Sequence, residues 1–197
     1  MRPRLRPFAG VCLAASLVAC TDAEVTAVVP PPAELTSDDI GYYCNMLVAN
    51  HQGPKGHIFL KQQSSPLWFS SVRDTLAFTR LPGESKRIAA IYVNDMARAN
   101  WERPEPGTWI DARQAWFVLG SGRAGGMGAP EAVPFGTREA ASVFAAAEGG
   151  SVMTFTEVPD SAVLGSSEFT EPSHSKDPGV NPVAHHGQTS ADTVTQQ

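Results

Sequence analysis

The sequence has few cysteines, no strongly basic segment beyond its N-terminus and no apolar run of membrane-spanning length. Its 197 residues carry a formal net charge of −5, and no lysine- or arginine-rich stretch follows the first six residues. Because proteins that bind nucleic acids through phosphates need clustered positive charge, a nucleic-acid partner is not expected. The apolar fraction, 42%, is that of an ordinary globular chain.

Common catalytic motifs are also missing. The chain contains no Gly-x-Ser-x-Gly, His-Glu-x-x-His or Cys-x-x-Cys segment, which argues against a serine hydrolase, a zincin and a thioredoxin-like redox site. Residues 120–125 match Gly-x-Gly-x-x-Gly, but further glycines and Pro130 follow where a helix should begin. A dinucleotide-binding loop is therefore not indicated.

The N-terminus has the pattern of a bacterial lipoprotein signal. Three arginines precede an apolar stretch at residues 8–19, shorter than the roughly 17 to 25 residues that a spanning helix needs. Residues 17–20 (Leu-Val-Ala-Cys) resemble a lipobox. The pattern predicts a signal peptide at residues 1–19 and a lipid on Cys20 that anchors the mature chain to a membrane. A short membrane anchor is the alternative interpretation.

This processing leaves one free thiol. Cys12 is removed with the signal peptide and the lipid occupies Cys20, so only Cys44 remains. No intramolecular disulfide is available to it, although exported proteins lie in an oxidising compartment. A lone thiol there is buried and inert, catalytic, or bound to a metal.

Two low-complexity segments flank the expected folded part. Residues 20–39 contain three consecutive prolines and little periodicity, which predicts an extended tether. Residues 170–197 are rich in Ser, Thr, Pro, Gly, Gln and His, which predicts a disordered tail. The folded domain is then expected at residues 40–169.

The pattern within that domain repeats. The first half predicts strands at 42–49, 57–61 and 88–93, with a helix at 72–80 that Ser71 caps. The second half predicts strand residues within 109–119, a glycine-rich loop, a helix that Gly149 and Gly150 end, and a strand at 152–158. We therefore expect an α+β fold of two related ββαβ modules with antiparallel sheets, at about 40–98 and 107–160.

Sulfur-bearing side chains are the main candidates for chemistry. On a strand, Cys44 and Met46 would point to the same side, and soft sulfur donors favour Cu(I). Met127 lies among glycines in residues 125–128, a loop that can present a thioether to a site built elsewhere. Burial in the hydrophobic core is the alternative for all three, because Cys and Met are often buried. Met96 and His51 are weaker candidates.

Six segments, in order, resemble the NosL family of nitrous oxide reductase accessory proteins. They extend over most of residues 41–158, and several such segments in one order are more specific than any single motif. The segments are 44–46 (Cys-Asn-Met), 51–55 (His-Gln-Gly-Pro-Lys), 68–74 (Trp-Phe-Ser-Ser-Val-Arg-Asp), 90–96 (Ala-Ile-Tyr-Val-Asn-Asp-Met), 109–113 (Trp-Ile-Asp-Ala-Arg) and 125–131 (Gly-Gly-Met-Gly-Ala-Pro-Glu).

The resemblance implies a periplasm-facing lipoprotein, expected at the outer membrane, that binds Cu(I) and is not an enzyme. It implies copper delivery for the copper–sulfide cluster of nitrous oxide reductase, with the apo-enzyme and its cluster-maturation ABC transporter complex as partners. It also implies a two-module ββαβ architecture similar to part of organomercurial lyase. The family pattern has glycine where this chain has Asn45, and proline where it has Gln52.

Three questions stay open at this point. A thiol-dependent lyase or hydrolase is the alternative that the fold analogy suggests, and a scaffolding lipoprotein without metal is another. A homodimer that shares the copper site is also compatible with the sequence. The mechanistic hypothesis places Cu(I) on Cys44 and Met127, with Met46 as the next sulfur donor and Met96 or His51 as outer candidates.

Overall fold

The computed structural model describes residues 29–165. The predicted signal peptide, Cys20, the start of the tether and the predicted tail lie outside the described residues. Within residues 29–165, no helix is long and apolar enough to cross a membrane.

Two antiparallel sheets, three α-helices and a short 3-10 helix at Val48–Asn50 make up this part of the chain. The first sheet has the strand order β2-β1-β3-β4 and the second the order β6-β5-β7. The elements are β1 (Gly56–Leu60), β2 (Leu67–Phe69), α1 (Val72–Arg80), β3 (Ile88–Asn94), β4 (Trp109–Asp111), β5 (Trp116–Leu119), β6 (Val133–Phe135), α2 (Arg138–Glu148), β7 (Ser151–Thr154) and α3 (Asp160–Leu164).

The predicted repeat is confirmed by this order. Each module runs strand, strand, helix, strand, and in each the first strand lies between the other two. Helices α1 and α2 begin in the same way. Ser71 Oγ accepts from Asp74 N at 3.0 Å at the start of α1, and Thr137 Oγ1 accepts from Ala140 N at 3.2 Å at the start of α2. These caps satisfy backbone N–H groups that a helix leaves unpaired in its first turn.

The two modules share a hydrophobic core. Strand β5 places Phe117 in a cluster with α1 and β3, whereas its neighbour Val118 belongs to the cluster beneath α2. Successive strand side chains point to opposite faces, so the second sheet packs on its own helix and on the first module. The repeat is therefore one folded unit rather than two separate domains.

Several boundaries differ from the sequence predictions. The predicted strand at 152–158 ends at Thr154, where Glu157 Oε2 accepts from Thr154 N at 2.8 Å and closes a turn. The short helix α3 was not predicted. Residues 109–119 form two strands in different sheets, because the chain turns between Ala112 and Ala115.

The described end of the predicted tether, residues 29–39, contacts the first sheet. Tyr92 Oη donates to Pro30 O at 2.7 Å, and Ala33 N donates to His57 Nε2 at 3.1 Å. His57 is fully buried among aromatic rings, with the rings of Trp68 and Trp109 both centred 4.6 Å away. Burial lowers the pKa of His57 from 6.5 to about 3, so this imidazole is neutral near pH 7 and accepts the Ala33 bond.

His57 should make the protein sensitive to acid. As pH falls from about 6.5 towards 3, the His57 ring becomes protonated in the unfolded chain but stays neutral in the folded protein. The wild type then loses up to roughly 1.4 kcal/mol of stability per pH unit from this group. His57→Gln cannot titrate, so its stability should fall less steeply over the same window in urea unfolding at pH 4 to 7.5. Parallel curves for the two proteins would contradict this assignment.

Candidate metal centre

Cys44 lies on a tight turn, not on the predicted strand. Gly41 N donates to Met46 O at 2.8 Å and Asn45 N donates to Gly41 O at 2.9 Å, so residues 41–46 pair with one another. The turn is fixed to the sheet because Tyr42 N donates to Trp68 O at 2.7 Å. Residues 42–49 therefore do not form a strand. The prediction that strand alternation points the sulfurs of Cys44 and Met46 to the same side was wrong.

Asn45 explains why the turn is possible without glycine. Its φ is +54°, in the left-handed region that L-residues rarely adopt. Asparagine is among the non-glycine residues that tolerate this region best, because its short polar side chain can interact locally. Asn45 thus adopts a backbone angle that glycine would also allow, at the position where the resemblance expects glycine.

The Cys44 thiol is half-buried beside the first helix. Its Sγ lies 3.6 Å from Ser70 Oγ and 4.0 Å from Met46 O. A Cβ on Gly41 would lie only 2.5 Å from this sulfur. Glycine at position 41 therefore provides the space that the thiol occupies.

Met127 lies on a glycine-rich loop that contacts the start of α1. Its loop is closed by Gly125 N donating to Ala129 O and Gly128 N donating to Gly125 O, both at 2.8 Å. Met127 lines a small cleft together with Ser71. Ser70 contacts Cys44 Sγ and the next residue, Ser71, lines the cleft of Met127, so both sulfur-bearing segments contact the start of α1.

Both candidate thioethers are open to solvent. Met46 is 43% exposed and Met127 is 45% exposed. Met46 is two residues from Cys44 on the same turn. Their exposure leaves both sulfurs accessible to an ion and to an incoming partner.

His51 joins the loop of Met127 from the other side. Its Nδ1 is 3.1 Å from Gly126 O, and its Nε2 is buried with no hydrogen-bond partner among the described residues. An imidazole with one free nitrogen could donate to a metal beside Met127. His51 therefore lies beside the loop of Met127, and no described contact joins it to Cys44.

Met96 lies in a different environment from the other candidates. It packs with Phe135 and Trp116 in the cluster beneath α2, and its backbone N donates to Pro134 O at 2.9 Å. This packing is what a core methionine shows. No described contact brings Met96 to Cys44, and its role as an outer ligand stays a prediction.

Two buried ionisable side chains lie next to the Met127 loop, and the sequence patterns did not predict a role for either. Lys55 and Glu131 are 1% and 2% exposed. Lys55 Nζ donates to Gln52 O and Gly53 O at 2.8 and 2.6 Å, and Glu131 Oε1 accepts from Arg73 N and Ala132 N, both at 2.9 Å. The sequence signal that pointed to Lys55 and Glu131 was their position in the segments 51–55 and 125–131, which carry the family resemblance.

Burial moves the pKa values of this pair towards each other. Desolvation lowers the pKa of Lys55 from 10.5 to about 8, against the attraction of Glu131. Desolvation raises the pKa of Glu131 from 4.5 to about 8, although the two backbone N–H groups and Lys55 act in the opposite direction. The cost of a buried charge therefore dominates at both residues.

The donor set is dominated by sulfur. Within residues 29–165, no group of three or more His, Cys, Asp or Glu side chains could hold a metal ion. The candidate donors are the thiol of Cys44, the exposed thioethers of Met46 and Met127, and the imidazole of His51. Such donors suit a soft univalent ion better than Zn²⁺, Ca²⁺ or Mg²⁺.

The fold and the site define a small α+β protein of two fused ββαβ modules with sulfur donors on surface turns. The NosL family model matches residues 32–163. The chain belongs to the NosL family. It is similar to the copper-binding lipoprotein NosL of Achromobacter cycloclastes, with 45% identity over 166 residues that cover 83% of this chain and 85% of the relative.

Two further comparisons agree. The copper-binding lipoprotein NosL of Stutzerimonas stutzeri is 33% identical over 154 residues, which cover 78% of this chain and 79% of that protein. The crystal structure of the copper chaperone NosL from Shewanella denitrificans superposes with a TM-score of 0.62 at 32% identity. That match covers 66% of this chain and 97% of the other.

The left-handed angle at Asn45 can be tested by matched substitutions. Asn45→Ala should destabilise the protein by about 1 kcal/mol, because a Cβ without a polar group disfavours positive φ. Asn45→Gly should be close to neutral. Asn50→Ala changes an exposed asparagine without positive φ and should shift stability by less than about 0.5 kcal/mol. Equal losses in the two alanine variants would refute the argument.

Glu131 should give the protein a second, opposite pH dependence. Because its folded pKa is raised, the folded protein holds this proton more tightly than the unfolded chain between about pH 4.5 and 8. The wild type therefore loses stability as pH rises through that window. Glu131→Gln keeps an acceptor for both backbone N–H groups but cannot ionise, so its stability relative to wild type should increase with pH in urea unfolding. A constant difference would show that Glu131 titrates normally.

Proposed function

We propose that this protein is a Cu(I)-binding metallochaperone that delivers copper for the copper–sulfide cluster of nitrous oxide reductase. The observation that carries the proposal is the position of Cys44. It is the only thiol in residues 29–165 and lies on the same turn as the exposed Met46, in a chain whose relatives are named copper-binding lipoproteins. Copper is the cargo of this protein, and its residues supply the donors.

The proposed ligands are Cys44 and Met127, with Met46 as the next sulfur donor. A thiolate provides charge and affinity, whereas a thioether is neutral at any pH and does not form disulfides. Cys44 Sγ lies 3.6 Å from Ser70 Oγ, and the next residue, Ser71, lines the cleft of Met127. His51 is the nearest imidazole to that loop and is an outer candidate, and Met96 is the more distant one.

A site with few ligands suits transfer. Two or three soft donors hold Cu(I) strongly enough to protect it, yet they leave coordination positions at which an acceptor can attack. The exposure of Met46 and Met127 supports this exchange, because an incoming sulfur or imidazole can approach without unfolding the domain. A closed site of four thiolates would retain its ion and would not serve delivery.

The proposal includes a lipid anchor on Cys20 and a periplasm-facing location, expected at the outer membrane. The lipobox at residues 17–20 and the names of the relatives support the lipid anchor. Acyl chains would confine the domain to a surface and raise its effective concentration near membrane-bound partners. The partners proposed are apo-nitrous oxide reductase and its cluster-maturation ABC transporter complex.

A catalytic role receives less support. A thiol nucleophile needs a base within hydrogen-bond reach, but the partners of Cys44 Sγ are Ser70 Oγ and Met46 O. The ring of His51 is bonded to Gly126 O instead. The names of the relatives also favour a carrier over an enzyme.

Copper titration of the mature, reduced protein in detergent tests the proposal. Against a Cu(I) chelator, Cys44→Ser should abolish competitive binding, and Met127→Ala should weaken it by about tenfold or more, equivalent to about 1.4 kcal/mol. Met153→Leu is the matched control, because this half-buried methionine packs in the shared core and should leave affinity unchanged. X-ray absorption at the copper edge then reports the number of sulfur ligands.

Wild-type affinity in the Cys44→Ser protein would remove the proposed site. Delivery is measured separately, in cells that express each variant, by the copper content of purified nitrous oxide reductase. Normal cluster assembly with Cys44→Ser, in the presence of folded protein, would favour a scaffold that binds no metal.

A further inference from the structure

The carboxylate of Glu131 connects the second module to the first helix. Glu131 comes just before β6, yet its Oε1 accepts from Arg73 N, in the first turn of α1, at 2.9 Å. A helix leaves its first N–H groups unpaired, and an acidic group is favourable at that end. Ser71 satisfies one such group from within the first module. The next one is satisfied from the other module, across 58 residues of sequence.

The same side chain supports the loop of Met127. A Cβ on Gly125 would collide with Glu131 Oε2, so the loop backbone lies directly against the carboxylate. Glu131 N also donates to Arg123 O at 3.2 Å, and Ala124 forms a bridge with Pro130. The loop is therefore closed at its base, with Glu131 at its end and Met127 near its tip.

On the far side of the loop, Lys55 holds the opposing backbone. Its Nζ donates to Gln52 O and Gly53 O, and a Cβ on Gly126 would lie 2.8 Å from that Gln52 oxygen. The neighbouring His51 Nδ1 contacts Gly126 O. The Met127 loop is thus packed between two backbone segments, each held by hydrogen bonds of one buried side chain, Lys55 or Glu131.

The α1 corner leads from Glu131 to the thiol. Arg73, which Glu131 caps, is two residues from Ser71, which lines the cleft of Met127, and three from Ser70, whose Oγ contacts Cys44 Sγ. A displaced Glu131 would release the loop from this corner. The thiol would stay in place, because residues 41–46 hold it through their own backbone bonds.

We propose that Glu131 is a positioning residue for copper binding: its buried carboxyl group fastens the loop that carries Met127 to the first turn of α1, which begins next to the Ser70 that contacts Cys44 Sγ. The inference rests on the proposed function, because it assumes that Met127 contributes a sulfur to Cu(I). Glu131 touches no ion itself. Its effect on affinity passes through Met127.

A double-mutant cycle between residues 131 and 127 tests this. Glu131→Ala and Met127→Ala should each lower Cu(I) affinity by about tenfold or more, measured with the mature protein against a chelator. The double variant should bind within about threefold of Met127→Ala alone, because the loop has no ligand left to position. In X-ray absorption, Glu131→Ala should lose one sulfur from the copper shell, as Met127→Ala does.

Conservative and independent variants separate positioning from loss of stability. Glu131→Gln keeps the acceptor for Arg73 N and should retain affinity within about threefold of wild type. Gly125→Ala disturbs the same contact from the loop side and should reproduce the loss of one sulfur if Glu131→Ala does not fold. Phe144→Ala weakens the distant cluster beneath α2 and should lower the unfolding temperature without changing copper affinity.

The outcomes are distinguishable. Additive losses in the cycle, or a full sulfur count in the Glu131→Ala and Gly125→Ala proteins, would overturn the positioning role while Cys44→Ser still abolished binding. If Met127→Ala bound copper normally, the positioning role would fall together with the assignment of Met127. If Cys44→Ser also bound normally, the proposed function itself would fail.

Discussion

The unpaired N–H groups at the start of α1 are the constraint on which the candidate site depends. Buried backbone donors must find acceptors, and here Ser71 and Glu131 supply them from two modules. Because Glu131 is itself buried, it cannot turn to water without breaking the shared core. Satisfying one helix end therefore fixes where the second module's glycine-rich loop meets the first module.

The internal repeat gains a functional meaning from this arrangement. In each module a capped helix follows the second strand. The residues that join that strand to the cap, 69–71 in the first module and 135–137 in the second, therefore form equivalent corners. Only the first corner, at Ser70 and Ser71, has both the Cys44 turn and the Met127 loop against it. The second corner, at Gly136, lies against Asp95, whose Oδ1 accepts from Gly136 N at 3.0 Å. The modules share a plan, but the loops around them have diverged.

Local signals in the sequence predicted what local chemistry determines. Helix α1 has its predicted bounds, residues 72–80, because a capping serine and a following proline act over a few residues. The turn at Cys44 was mistaken for a strand, since period-two alternation is also compatible with a short apolar loop, and only the positive φ at Asn45 decides. Glu131 was overlooked for a different reason. Its partner Arg73 is 58 residues away, and a single sequence shows no such pairing.

The division between rigid and open parts bears on how an ion would leave the proposed site. The backbone beneath the donors is fixed by buried groups, so moving it would break the hydrogen bonds of Lys55 Nζ to Gln52 O and of Arg73 N to Glu131 Oε1 at once. The side chains of Met46 and Met127 are half-exposed, and an unbranched methionine side chain is flexible. Release under the proposed function would therefore proceed by exchange of exposed thioethers with the acceptor's donors, one after another. The thiolate of Cys44, half-buried in the space left by Gly41, would be the last protein ligand to separate from the ion.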